Sequence, residues 1–85
     1  MEKESPWTEG SLRSELGKLT DNGREIVYFL RSREGKATHD EVQQRLGSVG
    51  AAQVLANVTR RVPQLIIVRQ NCWYLHEDAL KLLQL

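Results

Sequence analysis

The chain is poor in cysteine, proline and aromatic side chains, and it has no long apolar run. Its 85 residues include one Cys, two Pro, two Trp, two Tyr and one Phe. A single cysteine, Cys72, excludes an internal disulfide and any zinc site built from several cysteines. It suits a reducing compartment, so the expected location is the cytoplasm, with the nucleus as the alternative. No stretch approaches the roughly 20 apolar residues that a membrane-spanning helix needs, and no membrane partner is expected. The opening Met1-Glu2-Lys3-Glu4-Ser5-Pro6 is too polar for a secretory signal. Excess charge is lacking too: 12 Lys and Arg against 11 Asp and Glu leave +1. Dedicated DNA-binding domains usually carry a strong basic excess. Any nucleic-acid surface here must therefore come from uneven placement of charge.

What is present fits a small folded domain. Hydrophobic residues at 40% and charged residues at 27% argue against disorder. The length allows one domain with a compact core and marginal stability. Residues 1–10 show no periodicity and read as a flexible N-terminal tail, leaving residues 11–85 as the domain. Trp7 is out of place in a tail, because a large aromatic left in water wastes burial. It is expected to fold back onto the domain or to contact a partner.

From Ser11 onward the apolar residues recur at helical spacing. Ser11 reads as the cap of a helix through Leu12, Leu16 and Leu19, with Gly17 weakening it. Thr20 caps a stronger helix from Asp21 to about Arg33, whose apolar face is Ile26, Val27, Phe29 and Leu30. Asp21 sits at its positive end, and Arg31 and Arg33 at its negative end. Thr38 followed by Glu41 is a capping box for a helix from His39 to Leu46. A short turn, Gly47-Ser48-Val49-Gly50, leads to a helix from Ala51 to Val62, and Pro63 prevents continuation. The period then changes. Leu65-Ile66-Ile67-Val68 and Cys72-Trp73-Tyr74-Leu75 are strand-like and flank the polar turn Arg69-Gln70-Asn71, giving a β-hairpin. Residues 37–38 are expected to add a short third strand. A final helix follows His76-Glu77-Asp78 and carries Ala79, Leu80, Leu82, Leu83 and Leu85.

This order predicts a mostly helical α+β fold: a winged helix-turn-helix with a C-terminal β-hairpin wing and a trailing helix. The alternative is a small α+β domain without helix-turn-helix geometry. A hairpin alone is unstable in water, so it must pack on the helices.

The catalytic inventory is thin. His39-Asp40-Glu41 resembles an acid–base cluster, but two carboxylates at the positive end of a helix read far better as its polar first turn. His76-Glu77-Asp78 reads the same way. Cys72, between neighbours that want burial, reads as a core thiol and not a nucleophile. Gly47 and Gly50 lack the lysine and preceding strand of a phosphate loop. No cofactor, metal or enzymatic activity is expected.

The binding inventory is richer. In a helix-turn-helix the second helix offers its outer face to a groove. Here that face carries Gln53, Asn57, Arg60 and Arg61, side chains able to reach base edges and phosphates. Lys36 before the motif, and Arg69 and Asn71 at the wing tip, would flank it. A solvated helix face is the plain alternative. Of Trp73 and Tyr74, which alternate across a strand, one points outward; that ring is suited to stacking on a base or to anchoring a protein. Tyr74, Leu80 and Leu83 are the candidate partner-binding residues, with core packing the alternative for the leucines.

The stretch Ala51–Val68, with Val58, Val62, Pro63 and the strand Leu65-Ile66-Ile67-Val68, resembles LOTUS domains, also called OST-HTH domains. The likeness runs over about residues 20–85 and includes a trailing helix; the N-terminal domain of Egalitarian-like exonuclease proteins is similar. The resemblance implies an RNA-binding winged helix within a larger RNA-regulating protein, and a protein partner such as a DEAD-box helicase that engages the fold and its trailing helix. A second, weaker resemblance rests on Glu34-Gly35-Lys36-Ala37-Thr38 followed by Arg45-Leu46-Gly47. It is similar to the start of the helix-turn-helix in Zα domains and implies binding to double-stranded nucleic acid, with Asn57 on the recognition helix.

Overall fold

The computed structural model describes residues 6–84. Within them, the order is α1 (Glu9–Leu16), α2 (Asp21–Ser32), β1 (Lys36–Thr38), α3 (His39–Leu46), α4 (Ala51–Arg61), β2 (Ile66–Arg69), β3 (Cys72–Leu75) and α5 (Glu77–Leu83). The fold is a small α+β domain, five helices against one antiparallel sheet.

Capping decides where the helices start. Thr8 Oγ1 accepts from the Ser11 N–H at 3.1 Å, and Ser11 Oγ accepts from the Thr8 N–H at 2.7 Å. This reciprocal pair satisfies two free donors and starts α1 at Glu9, so Ser11 is the third helical residue and not the expected cap. The helix stops at Leu16 with Gly17 as its C-cap, and Leu19 is buried beyond its end. Trp7 is buried as well, its ring edge-on to His76 with centroids 5.0 Å apart. The folded domain therefore begins earlier than the expected boundary at residue 11. Residues 1–5 of the expected tail lie outside the described residues.

The expected caps hold at two further helices. Thr20 accepts from the Gly23 N–H at 3.2 Å. Thr38 and Glu41 form the capping box, with Glu41 Oε1 accepting from the Thr38 N–H at 3.0 Å and Thr38 Oγ1 from the Glu41 N–H at 3.1 Å. Gly23 lets α2 lie close against α4: a Cβ there would sit 3.1 Å from Val58 Cγ2. Helix α4 ends at Arg61, and Val62 follows as its C-cap.

The sheet order is β1-β3-β2. The hairpin turn is two residues, Gln70 and Asn71, with φ of 50° and 66°. Positive φ at both centres is the geometry whose twist suits a two-residue hairpin. Arg69 therefore belongs to β2 and not to the turn. Register aligns Lys36, Tyr74 and Ile67 across the three strands, then Ala37, Trp73 and Val68, then Thr38, Cys72 and Arg69.

Strand parity follows Trp73. It is 1% exposed and sits in one core with Leu12, Ile26, Leu30, Val42, Val58 and Leu65. Its indole N–H, which would be costly to leave unpaired, donates to His39 Nδ1 at 3.2 Å. Leu75 shares the inner face. Cys72 and Tyr74, on the alternate positions, are half-buried on the outer face. Cys72 is thus not the core thiol expected, because burying the larger Trp73 turns its neighbours outward.

Candidate functional site

The connection between α3 and α4 is held by one side chain. Gln43, on α3, donates from Nε2 to the carbonyls of Gly47 at 3.1 Å and Val49 at 2.8 Å; its Oε1 accepts from the Ala51 N–H at 3.0 Å. The N-cap of α4, Gly50, offers no side-chain acceptor. Gln43 therefore caps α4 from the previous helix and fixes the angle at which α4 leaves the turn. A second tie joins the hairpin to the same unit: the His39 N–H donates to the Asn71 carbonyl at 2.8 Å. Turn, second helix and hairpin tip are thereby registered against α3.

Helix α4 buries Ala51, Val54 and Val58. The opposite side carries Gln53 and Arg60, both exposed, with half-buried Asn57 between them; Arg61 is exposed at the last helical position. The spacing of Gln53, Asn57 and Arg60 puts them along one stripe. Arg69 and Asn71 are exposed at the hairpin tip.

Lys36 goes elsewhere. It lies on the outer sheet face in register with Tyr74, its Nζ 5.7 Å from the centre of the Tyr74 ring. Arg69, two positions along the sheet, shares that face. The candidate residues thus form two groups, a stripe on α4 and a patch on the outer sheet face, and Tyr74 belongs to the second. Leu80 and Leu83 are half-buried and packed against the domain's own core, and Leu80 closes over Gly35. Most of their apolar surface is already used internally.

Ion pairing separates the cations. Arg13 pairs with Glu9, Lys18 with Glu15, Arg24 with Asp21, Arg33 with Glu41, Arg45 with Glu25 and Lys81 with Glu77. Arg33 and Arg45 also flank the Phe29 ring, so both are engaged in joining α2 to α3. Among the described residues, Lys36, Arg60, Arg61 and Arg69 have no carboxylate partner, and neither has Arg31 on α2. Glu41 has its carboxyl held below the ordinary carboxylate range, first by the backbone hydrogen bond from Thr38, then by the Thr38 hydroxyl and the Arg33 guanidinium, with burial opposing them.

The sequence holds a signal that total charge conceals. All 11 Asp and Glu lie in residues 1–41 and 77–85. From Val42 to His76 there is no acidic residue, and the cations are Arg45, Arg60, Arg61 and Arg69. That segment carries +4, while eight cations against eleven carboxylates leave −3 on the rest. Charge is therefore unevenly distributed along the chain.

Among the described residues no group of His, Cys, Asp and Glu is placed to hold a metal ion, and no helix is long and apolar enough to cross a membrane. No family model, curated protein or solved structure matches the chain.

Proposed function

We propose that this chain is a non-catalytic winged-helix module that binds RNA, chiefly through its phosphate backbone. The observation carrying this reading is the acid-free segment from Val42 to His76, whose Arg60, Arg61 and Arg69 are left without carboxylate partners. Cations held in ion pairs must give up a partner before they meet a phosphate. Unpaired ones exchange only water and counterions, whose release drives phosphate binding. The element order supports the fold assignment: two helices joined by a four-residue turn, with a two-stranded hairpin after them and a short strand before, in the order β1-β3-β2. In this reading α4 is the recognition helix, with Gln53 and Asn57 at base edges and Arg60 and Arg61 on phosphates, and the hairpin is the wing. RNA is preferred to DNA on the LOTUS-like pattern of residues 51–68.

The test is direct. Wild-type protein is titrated against a labelled RNA hairpin, beside the double variant Arg60→Glu, Arg69→Glu. Both positions are exposed, so thermal unfolding is expected to be unchanged while affinity drops by roughly two orders of magnitude. Undiminished RNA affinity in a folded double variant overturns the proposal. Affinity that ignores salt points instead to an apolar docking module using the same fold.

A further inference from the structure

The outer sheet face is built unlike the rest of the surface. Its central row is Lys36, Tyr74 and Ile67, side by side across β1, β3 and β2. The next row is Thr38, Cys72 and Arg69. Of these rows Lys36, Thr38, Ile67 and Arg69 are exposed and Tyr74 and Cys72 half-buried, and Ile67, at 41%, is one of only three large hydrophobics exposed among the described residues. A shallow groove runs over the face from Arg69 and Gln70, past Ile67 and Tyr74, to His76, Glu77 and Asp78. It is cationic at the wing end and acidic at the α5 end.

An aromatic ring beside an aliphatic side chain, flanked by two cations that hold no carboxylate, is matched to a ligand that is both flat and anionic. A nucleotide is such a ligand: its base stacks on the ring and its phosphate meets the cations. An apolar peptide has no use for Lys36 and Arg69.

We infer that the outer sheet face is a second nucleic-acid site, one that takes an unpaired nucleotide. The base stacks on Tyr74 against Ile67. The phosphates lie toward Lys36 and Arg69, away from Glu77 and Asp78. To admit the base, the Lys36 ammonium leaves the Tyr74 ring for a phosphate, exchanging a cation–π contact for a charge-assisted one. Arg69 at the wing links the face to the α4 side, so one strand leaving a duplex held by α4 can continue onto the sheet. This rests on the proposed function and adds to it a preference for structured RNA carrying a single-stranded extension.

The test compares two labelled RNA probes, a blunt 12-base-pair hairpin and the same hairpin with a three-uridine 3′ extension, on the whole chain. The extension is expected to tighten binding at least fivefold, the effect of one stacked base. Tyr74→Leu, which keeps apolar bulk but removes the ring, is expected to erase that gain and leave hairpin affinity unchanged. Should the variant not fold, amide shifts in wild-type protein titrated with a free uridine trinucleotide give the answer. Shifts centred on Lys36, Ile67, Cys72 and Tyr74 support the site; shifts confined to α4, or none, overturn it. Equal affinity for both hairpins in the wild type also overturns the stacking site while leaving the proposed function standing. Binding of neither probe removes both.

Discussion

In residues 6–41 and 77–84 most cations are answered by a carboxylate, Arg31 and Lys36 being the exceptions; in residues 42–76 there is no carboxylate to answer them. The first region is the frame. There Arg13, Lys18, Arg24, Arg33 and Lys81 each have a partner within the region, and Arg45 is drawn back to it by Glu25. These surface pairs contribute little to stability individually, and the frame keeps an acidic excess. The second region supplies the rest of α3, all of α4 and the hairpin, and leaves Arg60, Arg61 and Arg69 exposed. The comparison teaches that a net charge of +1 and a cationic segment are compatible, because the carboxylates are confined to the rest of the chain.

Breaking the frame is expected to have the largest effect. Trp7 is buried against His76, beside the α5 segment. Trp7→Ala is expected to destabilise the domain by about 3–5 kcal/mol, the range for deleting a buried aromatic. Such a loss consumes most of the stability of a domain this small. Chemical denaturation of the variant checks it, and an unchanged midpoint would mean that the residues before α1 are dispensable.

The charge comparison itself is sharpened by a matched pair of variants. Arg13→Glu with Lys18→Glu reverses two cations of the frame, as Arg60→Glu with Arg69→Glu does outside it. The totals change equally. RNA affinity is expected to fall roughly a hundredfold in the second variant, about 1–3 kcal/mol per arginine, and less than tenfold in the first. Equal losses would show that only total charge matters.

A smaller effect belongs to the joint between the regions. Gln43→Ala removes three hydrogen bonds around the turn, leaving the Gly47 and Val49 carbonyls and the Ala51 N–H to water. A loss of about 1–3 kcal/mol is expected, read by thermal unfolding. RNA affinity should weaken as well, because α4 loses its fixed angle. Full stability in this variant would remove Gln43 as the clamp.

The smallest expected effect is on pH dependence. The Glu41 carboxyl is depressed in the folded chain, so its stabilising contribution is complete above the unfolded carboxylate range. It fades as pH falls through the lower folded value. Glu41→Gln should therefore flatten the acid side of the stability profile and leave the neutral side close to wild type. An identical acid limb in both proteins would deny the capping box its ionic character.

Much of the frame could be read from the chain because it rests on local signals. The Thr38–Glu41 box, the Thr20 cap and the apolar spacing of Ile26, Val27 and Leu30 each act within one or two helical turns. What escaped depends on longer range or on parity. The start of α1 escaped because Thr8 and Ser11 cap reciprocally, and either residue alone looks like a cap. The Gln43 clamp escaped because a glutamine on a polar helix face looks solvated, and its partners are backbone groups of a turn. The two-residue turn escaped because Gln70-Asn71 lacks the glycine that usually marks positive φ. Cys72 was misjudged because alternation gives two faces without saying which is inner; the burial of Trp73 decides that. The candidate cations were visible one by one. That Arg60, Arg61 and Arg69 lie in a segment without carboxylates was visible too, but only when charge was counted by segment.

The most direct measurement is the salt dependence of RNA affinity. With Arg60, Arg61 and Arg69 on phosphates, the logarithm of the association constant should fall linearly with the logarithm of salt concentration, with a slope of roughly −2 to −3. In the Arg60→Glu, Arg69→Glu variant the slope should shrink to near −1. A slope near zero in the wild-type protein, or the same slope in both proteins, would contradict the claim that the cations of this acid-free segment hold the ligand.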